Sequence, residues 1–93
     1  MIRSLKGKIA EKLAAGGKPK GFPADLVDRA VNKLALIDAA AKLDDLRSPP
    51  GNRLEALAGD RKGQHSIRIN DQWRICFLWR GGGADDVEVA DYH

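Results

Sequence analysis

Ninety-three residues, 43% of them hydrophobic, suffice for one compact domain and are too few for two, so a single domain over residues 1–93 is expected. The formal charge of +3 is unevenly spread: residues 1–33 carry eight Lys/Arg against three acids, residues 34–83 eight against six, and residues 84–93 four acids alone. One cysteine excludes an internal disulfide, no Cys/His cluster has metal-ligand spacing, and nothing resembles a secretory leader or an apolar run of ~20 residues, so a cytoplasmic protein without metal, cofactor or membrane contact is expected.

In chain order, "LKGKIAEKLAAGG" spaces Leu5, Ile9 and Leu13 four apart, one face of a helix that Gly16 and Gly17 end. "GFPADLVDRAVNKLALIDAA" predicts a second, longer helix. Pro23 suits its first turn, Asp25 its positive end, and Leu26, Ala30, Leu34 and Ile37, with Val27 and Val31, form its apolar stripe. "LDDL" at 43–46 reads as a short helical turn and "RSPPGNR" as a loop, since neither proline donates a backbone hydrogen bond.

After Gly51 the apolar period changes from 3.6 to 2. "HSIRIND", "WRICFLW" and "DVEVA" alternate, with "NDQ" and "GGGADD" as hairpin turns between them, which predicts a three-stranded antiparallel meander. Residues 54–57 are a further short strand candidate, and residues 1–4 a candidate edge partner. Helices first and strands after argue for an α+β fold, the two N-terminal helices packed on one face of a small, mainly antiparallel sheet.

The other sheet face is where chemistry is expected. With Ile67, Ile69, Trp73, Ile75 and Phe77 toward the helices, Arg68 and Arg74 point away, two planar donors suited to a phosphodiester, although strand faces also carry Arg for solubility alone. No Walker-type loop, His-Glu-x-x-His or GxSxG is present. Cys76, between Ile75 and Phe77, reads as a small strand residue and not a nucleophile. The closing "DYH" differs. Cleavage of RNA by its own 2′-hydroxyl needs a base, a cation for the charged phosphate and an acid for the leaving 5′-oxygen. Asp91, His93, Arg74 and Arg68 supply those types, and Tyr92 offers a hydroxyl and a ring on which a splayed base could stack. Alternation along an ideal strand places Asp91 and His93 on one side and Tyr92 on the other.

The blocks "DLRSPPGNRLEALAGDRKGQHSIRIND", "QWRICF" and the terminal "DYH", with "KLALIDAA" and "MIRS" upstream, resemble the HigB/RelE-type toxins of bacterial type II toxin-antitoxin systems over nearly the whole chain. The resemblance implies a RelE-like, microbial-RNase-type fold and a ribosome-dependent endoribonuclease that cuts mRNA. It also implies a cognate HigA-like helix-turn-helix antitoxin, through which the toxin meets operator DNA only indirectly. The family's terminal Asp-Tyr-His falls on Asp91, Tyr92 and His93, and the Arg of its Trp-Arg strand on Arg74; Arg61 and Lys62 of "GDRKG" would contact ribosomal RNA or the message backbone, and Arg68, from the strand alternation, is a further RNA-binding candidate.

Many family members read Leu-His-Pro-Leu-Lys where this chain has Leu54, Glu55, Ala56, Leu57 and Ala58. Two readings of Glu55 stay open: a base that replaces the missing His, with His93 as acid, or a carboxylate that bridges Arg53 or Arg74. The competing function from another class is a non-catalytic ribosome- or RNA-binding module, which would bind with the same salt sensitivity and cut nothing.

Overall fold

In the computed structural model, which describes residues 1–92, helix α1 (Lys8–Ala14) buries Ala10 and Leu13 and ends in a Schellman motif. The Gly16 N–H donates to the Leu13 carbonyl and the Gly17 N–H to the Lys12 carbonyl, and Gly16 supplies the positive φ of 86° that this cap requires. Pro23 opens a 3₁₀ turn (Ala24–Leu26) that runs into helix α2 (Val27–Ala39). The expected stripe is buried at Leu26, Ala30, Leu34 and Ile37, but Val31 is 39% exposed, because the stripe is narrower than the run of apolar letters.

The loop expected at 47–53 is locally organised. A 3₁₀ turn (Leu43–Arg47) buries Leu46, and the Asp45 carboxylate accepts the Ala41 and Lys42 N–H groups at 2.9 and 3.1 Å. A second turn (Pro50–Asn52) buries Asn52 completely. Its Nδ2 donates to the Leu46 and Ser48 carbonyls at 3.1 and 3.2 Å, and its Oδ1 accepts from Lys33 Nζ on α2. One amide thus ties the prolines to the second helix.

Strands β1 (Glu55–Ala56), β2 (Gln64–Arg68), β3 (Trp73–Arg80) and β4 (Gly83–Asp91) form an antiparallel sheet in the order β1-β2-β3-β4. At the turn after β2, Asn70 Oδ1 accepts the Gln72 and Trp73 N–H groups. The second hairpin is tighter than "GGGADD" suggests: Gly81 and Gly82, both at positive φ, make the turn alone, and β4 begins at Gly83. The extra length of β4 has a partner. Residues 2–5 lie parallel to it, with Arg3 N–H to Ala84 O and Val87 N–H to Ser4 O at 2.8 and 3.0 Å, so the first residues do close an edge of the sheet.

Ile67, Ile69, Trp73, Ile75 and Phe77 all lie in the core, as alternation requires, with Phe22 edge-on to Trp73 at a centroid distance of 4.9 Å. Both α1 and α2 pack on β4, which fixes the helical layer to one side of the sheet. Phe77 is fully buried, so truncation to Ala there would cost about 3–5 kcal/mol. Among the described residues neither α1 nor α2 packs on the opposite sheet face.

Candidate active site

Register places the outward residues. Arg68 stands directly opposite Arg74, Ser66 opposite Cys76, and Cys76 opposite Glu88, so these five side chains share the face away from the helices. A β-irregularity between Cys76 and Leu78 bends the strand just beyond them.

Two like charges directly across a ladder repel, and each arginine here has its own anion. Arg68 turns to Asp71 at the exposed hairpin end. Arg74 turns inward, its side chain only 12% exposed: Nε donates to Ser66 Oγ at 2.7 Å, Nη2 donates to the Arg53 carbonyl at 2.7 Å, and Glu55 Oε1 stands 3.5 Å from the same nitrogen. Arg53 adopts a left-handed conformation (φ 45°) in the hydrogen-bonded turn that ends the proline loop. Glu55, on β1, is more than half exposed and bridges to Arg74, the second of the two alternatives that its sequence position leaves open.

Arg61 ends the turn Gly59–Arg61 and crosses to β4. Its Nη1 donates to Glu88 Oε1 at 2.9 Å and to Gln64 Oε1 at 3.2 Å, and the Glu88 hydrogen bond raises the guanidinium pKa above its ordinary value. Lys62 follows it, exposed. On the same face the Tyr92 hydroxyl and Cys76 Sγ stand 3.6 Å apart. Burial, then the contact with Cys76, pushes the Tyr92 phenol up, so it is protonated at neutral pH and available as a donor. Burial likewise pushes the Cys76 thiol up, against the pull of its hydrogen bond to Tyr92, which leaves it a poor nucleophile.

The tail is held in the ladder through Asp91, which pairs with Trp73, and the Tyr92 N–H donates to the Gln72 carbonyl at 2.5 Å. Pairing with Trp73 puts Asp91 on the helix side of the sheet, where its carboxylate accepts from Gln72 Nε2 at 3.1 and 3.2 Å. The structure therefore brings Arg74, Tyr92, Glu55 and Arg61 to one face with Arg68 and sets Asp91 at the edge of the other; His93 lies outside the described residues. Among the described residues no group of three or more His, Cys, Asp or Glu side chains is placed to hold a metal ion, and no helix is long and apolar enough to cross a membrane.

Ser66, Glu88 and the Arg53 carbonyl are the parts that sequence reasoning missed. Ser66 and Glu88 had a signal, since each occupies the same strand phase as an outward residue already singled out. The Arg53 carbonyl had none, because its direction depends on a left-handed residue that is not glycine.

The family model for the RelE-like toxin of the type II toxin-antitoxin system HigB matches residues 3–93. The chain is 38% identical to the Endoribonuclease HigB of Proteus vulgaris over 93 residues, the full length of both. It is 47% identical to the Toxin HigB-1 of Vibrio cholerae over 63 residues, which cover 68% of this chain and 66% of that one. A match over nearly the whole chain, on a fold of two helices and an antiparallel sheet, settles the assignment: the protein belongs to the HigB-like family of RelE-like toxins of type II toxin-antitoxin systems.

Proposed function

We propose that this protein is an endoribonuclease that arrests translation by cutting mRNA on the ribosome, in the cytoplasm, without a metal. The observation that carries the reading is the Arg74 guanidinium, held in place on the sheet face away from the helices with the Tyr92 hydroxyl on that same face, and the strand that bears the tail anchored next to it. A planar cation held in place before substrate arrives needs no reorganisation as charge grows on the phosphate.

In the reaction the 2′-hydroxyl loses its proton and its oxygen attacks phosphorus, the bond from phosphorus to the 5′-oxygen breaks, and that oxygen takes up a proton. Arg74 stabilises the phosphorane charge. The protonated Tyr92 phenol donates to it or supports a splayed base, and the tail residue His93 carries protons, while Asp91, on the far side of the sheet, anchors the tail through Gln72. Glu55 is the counter-ion that the phosphate displaces from Arg74. Arg61, Lys62 and Arg68 line the approach of the RNA backbone.

A type II toxin has an antitoxin partner. The reading makes it a HigA-like helix-turn-helix protein, and operator DNA is reached only through it. Mapping of 5′ ends on a defined mRNA, with and without programmed ribosomes, tests the proposal. Cuts that require ribosomes and disappear in Arg74→Ala and His93→Ala support it; a folded wild-type protein that binds ribosomes and makes no cuts would overturn it in favour of a binding module.

A further inference from the structure

Ser66 is 0% exposed, one of only two buried polar residues in the described core, and it lies beneath the site and not in the helical layer. A hydroxyl in such a place costs free energy unless it is hydrogen-bonded, and a β-branched apolar residue would suit a strand position better. Its partner is Arg74, whose Nε donates to Ser66 Oγ at 2.7 Å, a charge-assisted bond, while Nη2 reaches the Ser66 carbonyl at 3.5 Å.

We propose that Ser66 is the positioning residue for Arg74. With the Arg53 carbonyl at 2.7 Å from Nη2, it holds the guanidinium by its Nε–Nη2 edge, fixes the plane of the group, and directs Nη1 toward the RNA phosphate. Arg68 shows the contrast: its anion, Asp71, is itself 96% exposed, so its guanidinium is held only at the surface. Two acceptors, one of them deeply buried, define a direction; one solvated carboxylate does not. Glu55 completes the holder electrostatically, but at 3.5 Å from Nη2 and more than half exposed it is the contact that yields to an incoming anion. The inference rests on the reading of Arg74 as the group that meets the scissile phosphate.

Single-turnover cleavage on programmed ribosomes by wild type, Ser66→Ala and Ser66→Thr, beside ribosome affinity and melting temperature, tests it. Ser66→Ala is expected to slow cleavage by about 10- to 100-fold, the scale of losing fixed orientation, with ribosome affinity little changed. Ser66→Thr, which keeps the hydroxyl, is expected to restore most of the rate. Wild-type speed in Ser66→Ala overturns the proposal, as do parallel losses of rate, binding and melting temperature in both variants, which mark a structural role. Should Ser66→Ala not fold, NMR of the unsubstituted protein decides. An Arg74 Nε–H that exchanges slowly supports the holder; one that exchanges as fast as a solvated guanidinium rules it out. Absence of cleavage by wild type with a protected Nε–H sinks the nuclease reading and leaves the geometry of the holder intact.

Discussion

Arg61 on the turn before β2 and Glu88 on β4 are joined across the open sheet face by a hydrogen-bonded ion pair of 2.9 Å. Both side chains are roughly one-quarter to one-third exposed, so the pair contributes about 0–1 kcal/mol to stability. Its larger effect is on charge facing RNA. Glu88→Gln is expected to leave melting nearly unchanged and to tighten binding of single-stranded RNA. Arg61→Ala should weaken that binding and reduce the salt slope by roughly 0.7. Equal affinities for the two variants across a salt titration would place this pair outside the interface.

Glu55→Gln separates a counter-ion from a general base. Loss of a general base lowers the rate by about 10²- to 10⁴-fold. Loss of an exposed carboxylate 3.5 Å from Arg74 Nη2 removes a competitor of the phosphate, so cleavage at or above the wild-type rate is expected. Single-turnover rates decide between the two.

Asn52→Ala leaves the Leu46 and Ser48 carbonyls and Lys33 without their buried partner. Unmet buried polar groups cost about 1–3 kcal/mol, and a melting scan should record the fall. Arg53 follows directly and its carbonyl holds Arg74, so the cleavage rate is expected to drop further than stability alone explains.

Asp85 accepts from Arg3 Nε and Nη2 and from Arg80 Nε, and these guanidiniums hold its carboxyl down from 3.8 to about 2. A depressed carboxyl contributes stability above its unfolded value and loses it as pH falls through the folded one. Stability should therefore decline between 3.8 and about 2, and Asp85→Asn should flatten that acid limb while lowering stability at neutral pH. An unchanged acid limb in urea titrations of Asp85→Asn would show that the pairing is not formed in solution.

The helices, the meander and the inward faces of β2 and β3 were legible because a period of 3.6 or 2 is written directly in where Leu34, Ile37, Ile67 and Ile75 recur. The pairing of residues 2–5 with β4 was legible only as a candidate, since parallel pairing across most of the chain leaves no local pattern. Arg68 and Arg74 were readable as an outward pair, whereas the difference between them was not. That difference depends on Ser66, on the left-handed Arg53 and on Asn52, and only a folded loop reveals it. Alternation separated Asp91 from Tyr92 correctly, and the pairing of Asp91 with Trp73 places it on the far side.

The parallel seam between residues 2–5 and β4 also bears on how the protein is made. Ile2 bridges to Ala84 and Leu5 to Val87, so residues 2–5 find their partner only once β4 has been synthesised. Contacts of such sequence separation form late and slowly. A nascent chain that stalls before Gly83 has no partner for residues 2–5, lacks the β4 surface on which α1 and α2 pack, and has no Tyr92 on the face of Arg74. A chain cut before Gly83 is accordingly expected to lack a cooperative melting transition and cleavage activity, which a thermal scan beside an mRNA-cutting assay checks.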